Sequence, residues 1–332
     1  MPFIEEIKKL KSLSVVGLQK NTGKTETLNY IIKRLKNENI GMTSIGIDGE
    51  STDQVTQTPK PEIKIYKNMI FATAEKFYKA KKFTSEILDV SAKTTSIGRV
   101  VIARALEEGK VLLAGPQDTV WIKQTIDKIN GFGTTLTLVD GAISRLSPSS
   151  PAITEGMVLA TGAALTINMK ELVKKTKHTI NLINIEEFGM THLKSLKNGV
   201  YMINESKEIK KLSIKSILNF EKLEEDFFSY GNTIYTTGSI TDKFLKYLSK
   251  QKNIKKITVV VKDFTKIFVT PEVLSIFKKR GGTLKVLKKT KLIAVTVNPT
   301  SPNGYTLNSL ELKNNIQELT TVPVINVREE TV

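Results

Sequence analysis

The chain has 332 residues, of which 40% are hydrophobic, so it is long enough for one large or two ordinary domains with a substantial core. It contains no cysteine, which excludes disulfides, thiolate metal sites and cysteine nucleophiles. Fifty Lys and Arg residues against 33 Asp and Glu residues give a net charge of +17, but the excess is mostly lysine scattered singly or in pairs, so nucleic-acid binding is not favoured.

The N-terminal segment gives no sign of export. Residues Pro2 to Ile7 are acidic and amphipathic, and they lack the basic start and apolar stretch of a secretory signal. No apolar segment reaches the ~20 residues that a membrane-spanning helix requires. We therefore expect a cytoplasmic protein that does not bind membranes.

The most informative motif follows a short apolar run, where residues 17–25 read GLQKNTGKT. The spacing is one residue longer than in G-x-x-x-x-G-K-[ST], because Leu18 stands where that form has glycine. We predict a phosphate-binding loop (P-loop), in which Lys24 contacts the β- and γ-phosphates of ATP and the Thr25 hydroxyl coordinates Mg²⁺. The predicted nucleotide-binding residues are Gly17, Lys20, Asn21, Thr22, Gly23, Lys24, Thr25 and Glu26. The alternative is a Gly-Lys-Thr sequence that only caps a helix.

The first half of the chain alternates predicted strands and helices. In chain order, the pattern predicts a helix over 25–35, a buried strand over 43–47, a polar loop over 51–62, a helix over 97–106, a strand over 111–114, a helix over 120–129 and a strand over 136–139. This alternation is typical of an α/β fold with a doubly wound, mostly parallel sheet.

The second half contains three further apolar runs that predict strands, at 233–236, 257–261 and 292–297. The composition shifts toward lysine and serine around Lys197. We therefore predict a nucleotide-binding domain over residues 1–196 and a second α/β lobe of unassigned role over 197–332.

Two aspartates follow predicted strands. Asp48 comes after the second strand and Asp140 after the strand at 136–139. Because the carboxyl ends of parallel strands form the edge where ligands bind, both side chains are expected near Lys24. Nucleotide hydrolysis needs carboxylates that hold Mg²⁺, directly or through water. The alternative is that each is a turn aspartate before glycine.

Other polar residues are weaker candidates. Lys20 either contacts phosphate or is a solvated loop lysine, and Arg145 either contacts phosphate or caps the turn at Ser147. Asp53 and Lys60, in the polar loop, are weaker still. His178 and His192 are interpreted as structural or surface residues, because their spacing does not fit a helical zinc pair. Trp121 lies on a helix-like stretch and is interpreted as a core residue.

Five segments together resemble one family: 17–25, 45–50, 58–63, 113–116 and 138–142. They are similar to the nucleotide-binding reactivase subunit of lysine 5,6-aminomutase and of related adenosylcobalamin-dependent amino acid mutases. The longer loop resembles the dethiobiotin synthetase branch of P-loop proteins, in the SIMIBI class. Asp140-Gly141-Ala142 matches the strand-end acid of that branch, and Asp48 its second-strand aspartate. The similarity covers residues 13–165, with a fainter echo near Asn298-Pro299.

The resemblance implies a P-loop ATPase that helps a radical mutase to exchange damaged cobalamin. It implies catalytic roles for Lys24, Asp48 and Asp140, and magnesium binding by Thr25, Asp48 and Asp140. The implied partners are an adenosylcobalamin-dependent aminomutase and a subunit resembling the MutS ATPases, and a homo-oligomer is compatible with it. The segment from Asp48 to Ile63 would be the part that responds to the γ-phosphate.

Three alternatives remain open from the sequence. The first is an ATP-dependent ligase or small-molecule kinase of the dethiobiotin synthetase kind, although no nucleophile-activating group is evident. The second is a GTPase or metal-insertion chaperone, which is weakened because the chain has no Asn-Lys-x-Asp motif to recognise guanine. The third is a nucleotide-binding scaffold without activity.

Overall fold

The chain forms two compact units. The structure is a computed structural model and describes residues 2–46, 63–116, 118–142, 150, 153–222 and 227–329. Unit 1 comprises residues 1–177 and 291–332, and unit 2 comprises residues 178–290. Unit 2 is therefore an insertion in the sequence of unit 1.

The helices and strands are numbered here in chain order. Those before unit 2 are α1 (Pro2–Lys8), β1 (Ser12–Gly17), α2 (Lys24–Arg34), β2 (Ile40–Ser44), β3 (Ile63–Ile65), β4 (Ile70–Ala74), α3 (Glu75–Ala80), β5 (Ser85–Thr95), β6 (Gly98–Ala105), β7 (Gly109–Val111), α4 (Thr119–Gly131), β8 (Leu136–Ala142), β9 (Gly156–Gly162) and α5 (Met169–Ile183), which crosses the boundary. Those of unit 2 are β10 (Val200–Ile203), β11 (Ile209–Lys211), β12 (Thr233–Thr236), β13 (Ile240–Thr241), α6 (Asp242–Ser249), β14 (Thr258–Val261), β15 (Ile267–Phe268), α7 (Pro271–Lys279) and β16 (Thr283–Val286). The chain ends with β17 (Lys291–Asn298), α8 (Ser309–Gln317) and β18 (Val324–Ile325). In the described part of the chain, no helix combines the length and the apolar character needed to cross a bilayer.

Unit 1 is built on a nine-stranded mixed sheet with the order β18-β17-β9-β1-β8-β2-β4-β6-β5. The strands from β18 to β4 pair in parallel, and only β4–β6 and β6–β5 pair antiparallel. The predicted α/β class is confirmed by this sheet and its helices. Two predicted helices, α2 and α4, and the predicted strand β8 are also confirmed.

Strand β1 lies at the centre of this sheet, between β8 and β9. All six of its residues are buried, so its apolar run has core on both faces. From β1 the chain passes through α2 to β2, which lies beyond β8 on one side of β1. From β8 the chain continues to β9, which lies on the other side of β1. Such a change of direction leaves a crevice outside the carboxyl ends of the strands. The glycine loop, defined here as Gly17–Thr25, lies at this point.

The helix predicted over residues 97–106 is wrong. These residues form β6, which pairs antiparallel with β4 and β5. Val100, Val101 and Ile102 are all buried in the sheet, where β-branched side chains pack better than in a helix. Gly98 adopts φ 101° at the hairpin, a conformation that favours glycine.

The strand predicted over residues 43–47 is shifted. The structure places β2 at Ile40–Ser44, so the strand begins earlier and includes Gly41. A glycine is needed there because a Cβ atom would lie 2.2 Å from Cγ2 of Ile129, on the helix α4 that packs over the strand. Ile47 and Asp48 lie outside the described residues. Likewise, the strand predicted over 111–114 is mostly absent, because β7 ends at Val111.

The division predicted after residue 196 differs from the two compact units. Residues 291–332, which the sequence analysis placed in the second lobe, belong to unit 1. The reason is strand pairing, because β17 pairs in parallel with β9 along its whole length and β18 extends the sheet beyond it. The last strands of the chain thus complete the sheet that begins with β1.

Unit 2 has its own five-stranded sheet, with the order β11-β10-β12-β14-β16. Strands β12, β14 and β16 are parallel, and β10 and β11 are antiparallel additions. The strands predicted at 233–236 and 257–261 are confirmed as β12 and β14. Helices α6 and α7 pack against each other and bury apolar faces that include Phe244 and Phe277.

The core of unit 2 contains a phenol that has no hydrogen-bond partner among the described residues. Tyr235 is fully buried, stacks on Tyr201 with ring centroids 5.9 Å apart, and leaves its hydroxyl unpaired. Burial, with a smaller contribution from Tyr201, raises the pKa of Tyr235 to about 12. By contrast, the Tyr201 hydroxyl donates to the carbonyl of Lys197 at 2.7 Å.

We expect opposite effects on stability from removing these two hydroxyls. An unpaired buried polar group costs about 1–3 kcal/mol, so Tyr235→Phe should leave the free energy of unfolding unchanged or raise it. Tyr201→Phe should lower it by about 1 kcal/mol, because a hydrogen bond is lost. Urea unfolding of both variants measures the difference. A clear destabilisation by Tyr235→Phe would show that its hydroxyl has a partner.

Candidate functional site

The glycine loop leaves β1 through a tight turn. The Thr22 hydroxyl donates to the carbonyl of Gln19 at 2.8 Å, and this closes the loop on itself. A Cβ atom on Gly17 would lie 2.6 Å from Oγ1 of Thr22, so only glycine fits at this position. The N–H of Leu18 donates to the carbonyl of Ala160 at 2.9 Å and anchors the loop to β9. The loop is therefore closed on itself and held against β9.

Helix α2 begins directly after Gly23, which adopts φ 93° and ψ 11°. Its first intrahelical hydrogen bond runs from the N–H of Thr27 to the carbonyl of Gly23 at 2.9 Å. The N–H groups of Lys24, Thr25 and Glu26 thus precede the helical ladder and have no partner within the helix. Gly23 has no side chain to cap them. Free N–H groups and the positive end of the helix dipole favour an anion at this place.

The structure brings Lys24 and Asp140 together. The Nζ atom of Lys24 lies 2.9 Å from Oδ1 of Asp140, and the two side chains are only 25% and 18% exposed. Lys24 is the first residue of α2, and Asp140 lies on β8 opposite Val15 of the neighbouring strand β1. The ion pair therefore joins the start of the helix to the carboxyl end of the adjacent strand.

The Asp140 carboxylate is under-coordinated. Its Oδ1 atom is buried and has no hydrogen-bond partner among the described residues. Its contact with Lys24 is therefore an ion pair without a directed hydrogen bond. The main chain at this position is firmly held, since Ile45 N–H donates to the carbonyl of Asp140 at 3.0 Å. A buried carboxylate oxygen with spare acceptor capacity can accept a metal ion or a metal-bound water.

The remaining predicted residues differ in their surroundings. Thr25, the second residue of α2, is partly exposed, and Lys20 is exposed in the loop. Asn21 adopts φ 62°. Glu26 accepts a hydrogen bond from Nη2 of Arg328 at 3.1 Å. Four predicted candidates lie outside the described residues: Asp48, Asp53, Lys60 and Arg145.

The C-terminal strands contribute residues that the sequence analysis did not assign to this site. Asn298, at the end of β17, donates from Nδ2 to the carbonyl of Asn21 at 3.3 Å. Its main-chain carbonyl accepts the N–H of Ala163 at 2.8 Å. Asn298 therefore supports the glycine loop from the side of β9. The sequence does show a polar Asn-Pro pair after an apolar strand. Asn298 could be assigned to this site, however, only once β17 was known to belong to unit 1.

A small recess lies beside the start of α2. Its free volume is about 10 Å³, which is room for about one water molecule. The recess is lined by Thr22, Gly23, Glu26, Thr27, Thr296, Val297, Asn298, Asn326, Val327 and Arg328. The hydroxyls of Thr27 and Thr296 lie 2.8 Å apart at its wall. The C-terminal segment thus forms one side of the site and α2 the other.

His178 and Trp121 have structural surroundings, and His192 is exposed. His178 Nε2 lies 2.8 Å from the carbonyl of Val269, and burial lowers the pKa of His178. Trp121 packs against a buried apolar cluster that includes Ile70 and Ile129. Among the described residues, no three His, Cys, Asp or Glu side chains are grouped so that they could hold a metal ion.

Comparison of the chain with protein-family models, with curated proteins and with solved structures gave no match. The functional interpretation therefore depends on the geometry of the glycine loop and on the sequence resemblance.

Glycine at position 23 should be required both for stability and for ligand binding. Alanine in the left-handed region costs about 1–2 kcal/mol, and at position 23 its Cβ atom would also lie 3.0 Å from Cβ of Asn298. Gly133 is the matched control, because it has φ 92° and nothing within 4 Å of the position of its Cβ atom. In urea unfolding, Gly23→Ala should be more destabilising than Gly133→Ala. Equal effects would show that the Asn298 side chain moves away from the added Cβ atom without lowering the free energy of unfolding.

Proposed function

We propose that this protein binds ATP with Mg²⁺ at the glycine loop and hydrolyses it, as a P-loop ATPase. The observation that carries the proposal is the ion pair between Lys24 and Asp140 at the carboxyl edge of a central parallel strand. A lysine at the start of a helix and a carboxylate on the adjacent strand are the two charged groups that a magnesium nucleotide needs.

The start of α2 fits a polyphosphate. The loop offers unpaired main-chain N–H groups, the positive end of an eleven-residue helix and the ammonium group of Lys24 within one short segment. Glycines at positions 17 and 23 keep side-chain atoms away from this segment. These properties support an anion-binding cradle, because a glycine N-cap has no side chain to occupy the first N–H groups of the helix.

The surroundings of Asp140 fit a magnesium ion. The buried Oδ1 atom without a directed hydrogen bond has acceptor capacity for a cation or its water. Thr25 would supply a hydroxyl from the second residue of α2. Asp48, which the resemblance assigns to the metal, lies outside the described residues. The ion would neutralise charge on the phosphate oxygens, while Lys24 moves from the carboxylate to the phosphates.

The reaction in this proposal is hydrolysis of the β–γ phosphoanhydride of ATP. Following the resemblance, we assign this hydrolysis to a reactivase subunit, which drives the exchange of damaged cobalamin from an adenosylcobalamin-dependent amino acid aminomutase. Such a subunit uses the energy of ATP to change the conformation of a partner, so a slow basal rate is expected. Cobalamin need not contact this chain.

The test is the rate of hydrolysis of ATP and of GTP by the purified chain, alone and with a lysine 5,6-aminomutase inactivated by loss of its adenosyl group. The proposal predicts slow basal hydrolysis that the inactivated mutase accelerates, and recovery of mutase activity when adenosylcobalamin and ATP are present. Fast turnover on a small acid or amine without any effect of the mutase would favour a ligase or kinase. Absence of nucleotide binding would overturn the proposal altogether.

A further inference from the structure

Unit 2 carries most of the excess positive charge of the protein. Residues 178–290 contain 21 Lys and Arg residues against 11 Asp and Glu residues, a net charge of +10 out of the total of +17. The sequence alone suggested scattered lysines. In the folded unit, however, two separate lysine-rich segments meet at one edge of the five-stranded sheet.

This edge is where β14 and β16 begin. The two strands are parallel and paired, with Thr258 opposite Thr283, so the residues that precede them lie side by side. The resulting surface, called here the basic edge, is formed by the exposed residues Lys250, Lys252, Lys255, Lys256, Lys279 and Arg280. In the described structure none of the six forms an ion pair.

Contacts between the segments show that the basic edge is continuous. Arg280 donates from Nη1 to the carbonyl of Ser249 at 2.8 Å, which joins the end of α7 to the end of α6. Gly281 packs directly on Lys255, since a Cβ atom on the glycine would lie 2.8 Å from Cγ of that lysine. The two lysine-rich segments are therefore held side by side by the fold.

The described acidic residues of unit 2 are located away from these cations. The sequence has no Asp or Glu between Asp242 and Asp263, or between Glu272 and the end of unit 2. Two described acids at the same edge of the sheet, Glu205 and Glu208, follow β10, and β12 separates that strand from β14. Among the residues of unit 2 that the structure describes, positive charge is thus concentrated on the β14–β16 side.

Helix dipoles explain only part of this pattern. Basic residues are favoured at the C-terminus of a helix, which accounts for Lys250 after α6 and for Lys279 and Arg280 at the end of α7. It does not account for Lys252, Lys255 and Lys256, which follow the helix in the connection to β14. Six like charges in one place raise the free energy of the isolated fold, and an anionic partner would relieve this repulsion.

We propose that the basic edge binds a carboxylate-rich segment of a partner protein. Ile276 favours a protein over a nucleic acid, because it is 51% exposed on α7 at three and four residues before Lys279 and Arg280. An apolar side chain beside cations can be covered by an acidic amphipathic segment but not by a phosphate backbone. In addition, residues 250–256 and 279–282 contain no aromatic residue for base stacking and only one arginine.

This surface is independent of the glycine loop, and its test does not require nucleotide. The probes are a labelled peptide of glutamates with interspersed leucines and a labelled DNA duplex of the same total charge, titrated with the full-length protein. The test variant is Lys252→Glu/Lys255→Glu/Lys256→Glu. It should weaken binding of the peptide by about tenfold or more, since charge reversal at a contact removes attraction and adds repulsion.

The matched control changes the net charge equally at the opposite edge of the same sheet. Lys194 and Lys197 precede β10 and Lys215 follows β11, so all three lie at the edge where β12 ends. Replacing these three with glutamate should change peptide binding by less than about threefold, because exposed charges beyond a Debye length are screened. An equal loss in both triple variants would show that only net charge matters and would overturn the proposal.

Ile276→Ser separates the two classes of partner. It should weaken binding of the peptide but leave binding of the duplex unchanged, because only the peptide has leucines to cover an apolar side chain. Tighter binding of the duplex than of the peptide, lost in the Lys252→Glu/Lys255→Glu/Lys256→Glu variant, would instead identify a nucleic-acid surface. Circular dichroism and urea unfolding verify that each variant is folded.

Discussion

Replacing Lys24 with alanine should abolish binding of magnesium ATP, measured by titration calorimetry with the full-length chain. Lys24 is the described cation at the start of α2 that already contacts a carboxylate, at 2.9 Å. Removing a partly buried charge that pairs with a ligand costs about 2–5 kcal/mol, which corresponds to at least about 30-fold in affinity. The loss should be similar for ADP, because its β-phosphate occupies the same segment of the loop.

The control for this experiment is Lys33→Ala. Lys33 lies on the same helix, α2, but is exposed and far along it from Gly23. The control removes the same charge, so the long-range electrostatic effect is matched. Unchanged affinity in Lys24→Ala would mean that the glycine loop does not hold the phosphates and that the proposed function is wrong.

The second large effect is expected from Asp140→Ala. This variant should still bind ATP, but its rate of ATP hydrolysis should fall by about 100-fold or more. A loss of this size is typical when one preorganised electrostatic contact is removed from a phosphoryl-transfer site. Binding is retained because Lys24 no longer has a carboxylate that competes with the phosphates. A steady-state phosphate-release assay, together with the same calorimetry, measures the two quantities separately.

Asp127→Ala is the matched control for this variant. Asp127 is on α4, is 57% exposed and pairs with Lys123 four residues before it, a type of ion pair that contributes little. Asp140→Asn preserves the shape of the side chain and should also lose hydrolysis. Normal hydrolysis in both Asp140 variants would remove this residue from the catalytic machinery.

The beginning of unit 1, from β1 to α2, could be predicted from the sequence because it depends on a short segment. The apolar run before Gly17 and the helical period after Gly23 fix a strand, a loop and a helix in that order. The position of Asp140 near Lys24 follows from a general property of parallel sheets, whose carboxyl ends share one edge. The structure places the two residues together as that property requires.

The remaining features depend on long-range pairing, which the sequence does not encode in a short window. Nothing near residues 291–298 shows that β17 pairs with β9 across an insertion of more than one hundred residues. The role of Asn298 beside the loop was therefore not recognised. Similarly, the strand predicted over 43–47 did not include Gly41, which lies in β2 and allows the close approach of α4.

The position of β17 also has a consequence for the order in which the protein forms during synthesis. The central sheet lacks its last two strands until the ribosome has translated all of unit 2 and released residues 291–325. The inserted unit has its sheet and helices within one continuous stretch, so it can fold before its host is finished. Until then β9 exposes an unpaired edge, and Asn21 lacks the amide that later donates to it. The support of the glycine loop by Asn298 is consequently formed only after unit 2 and β17 have been translated.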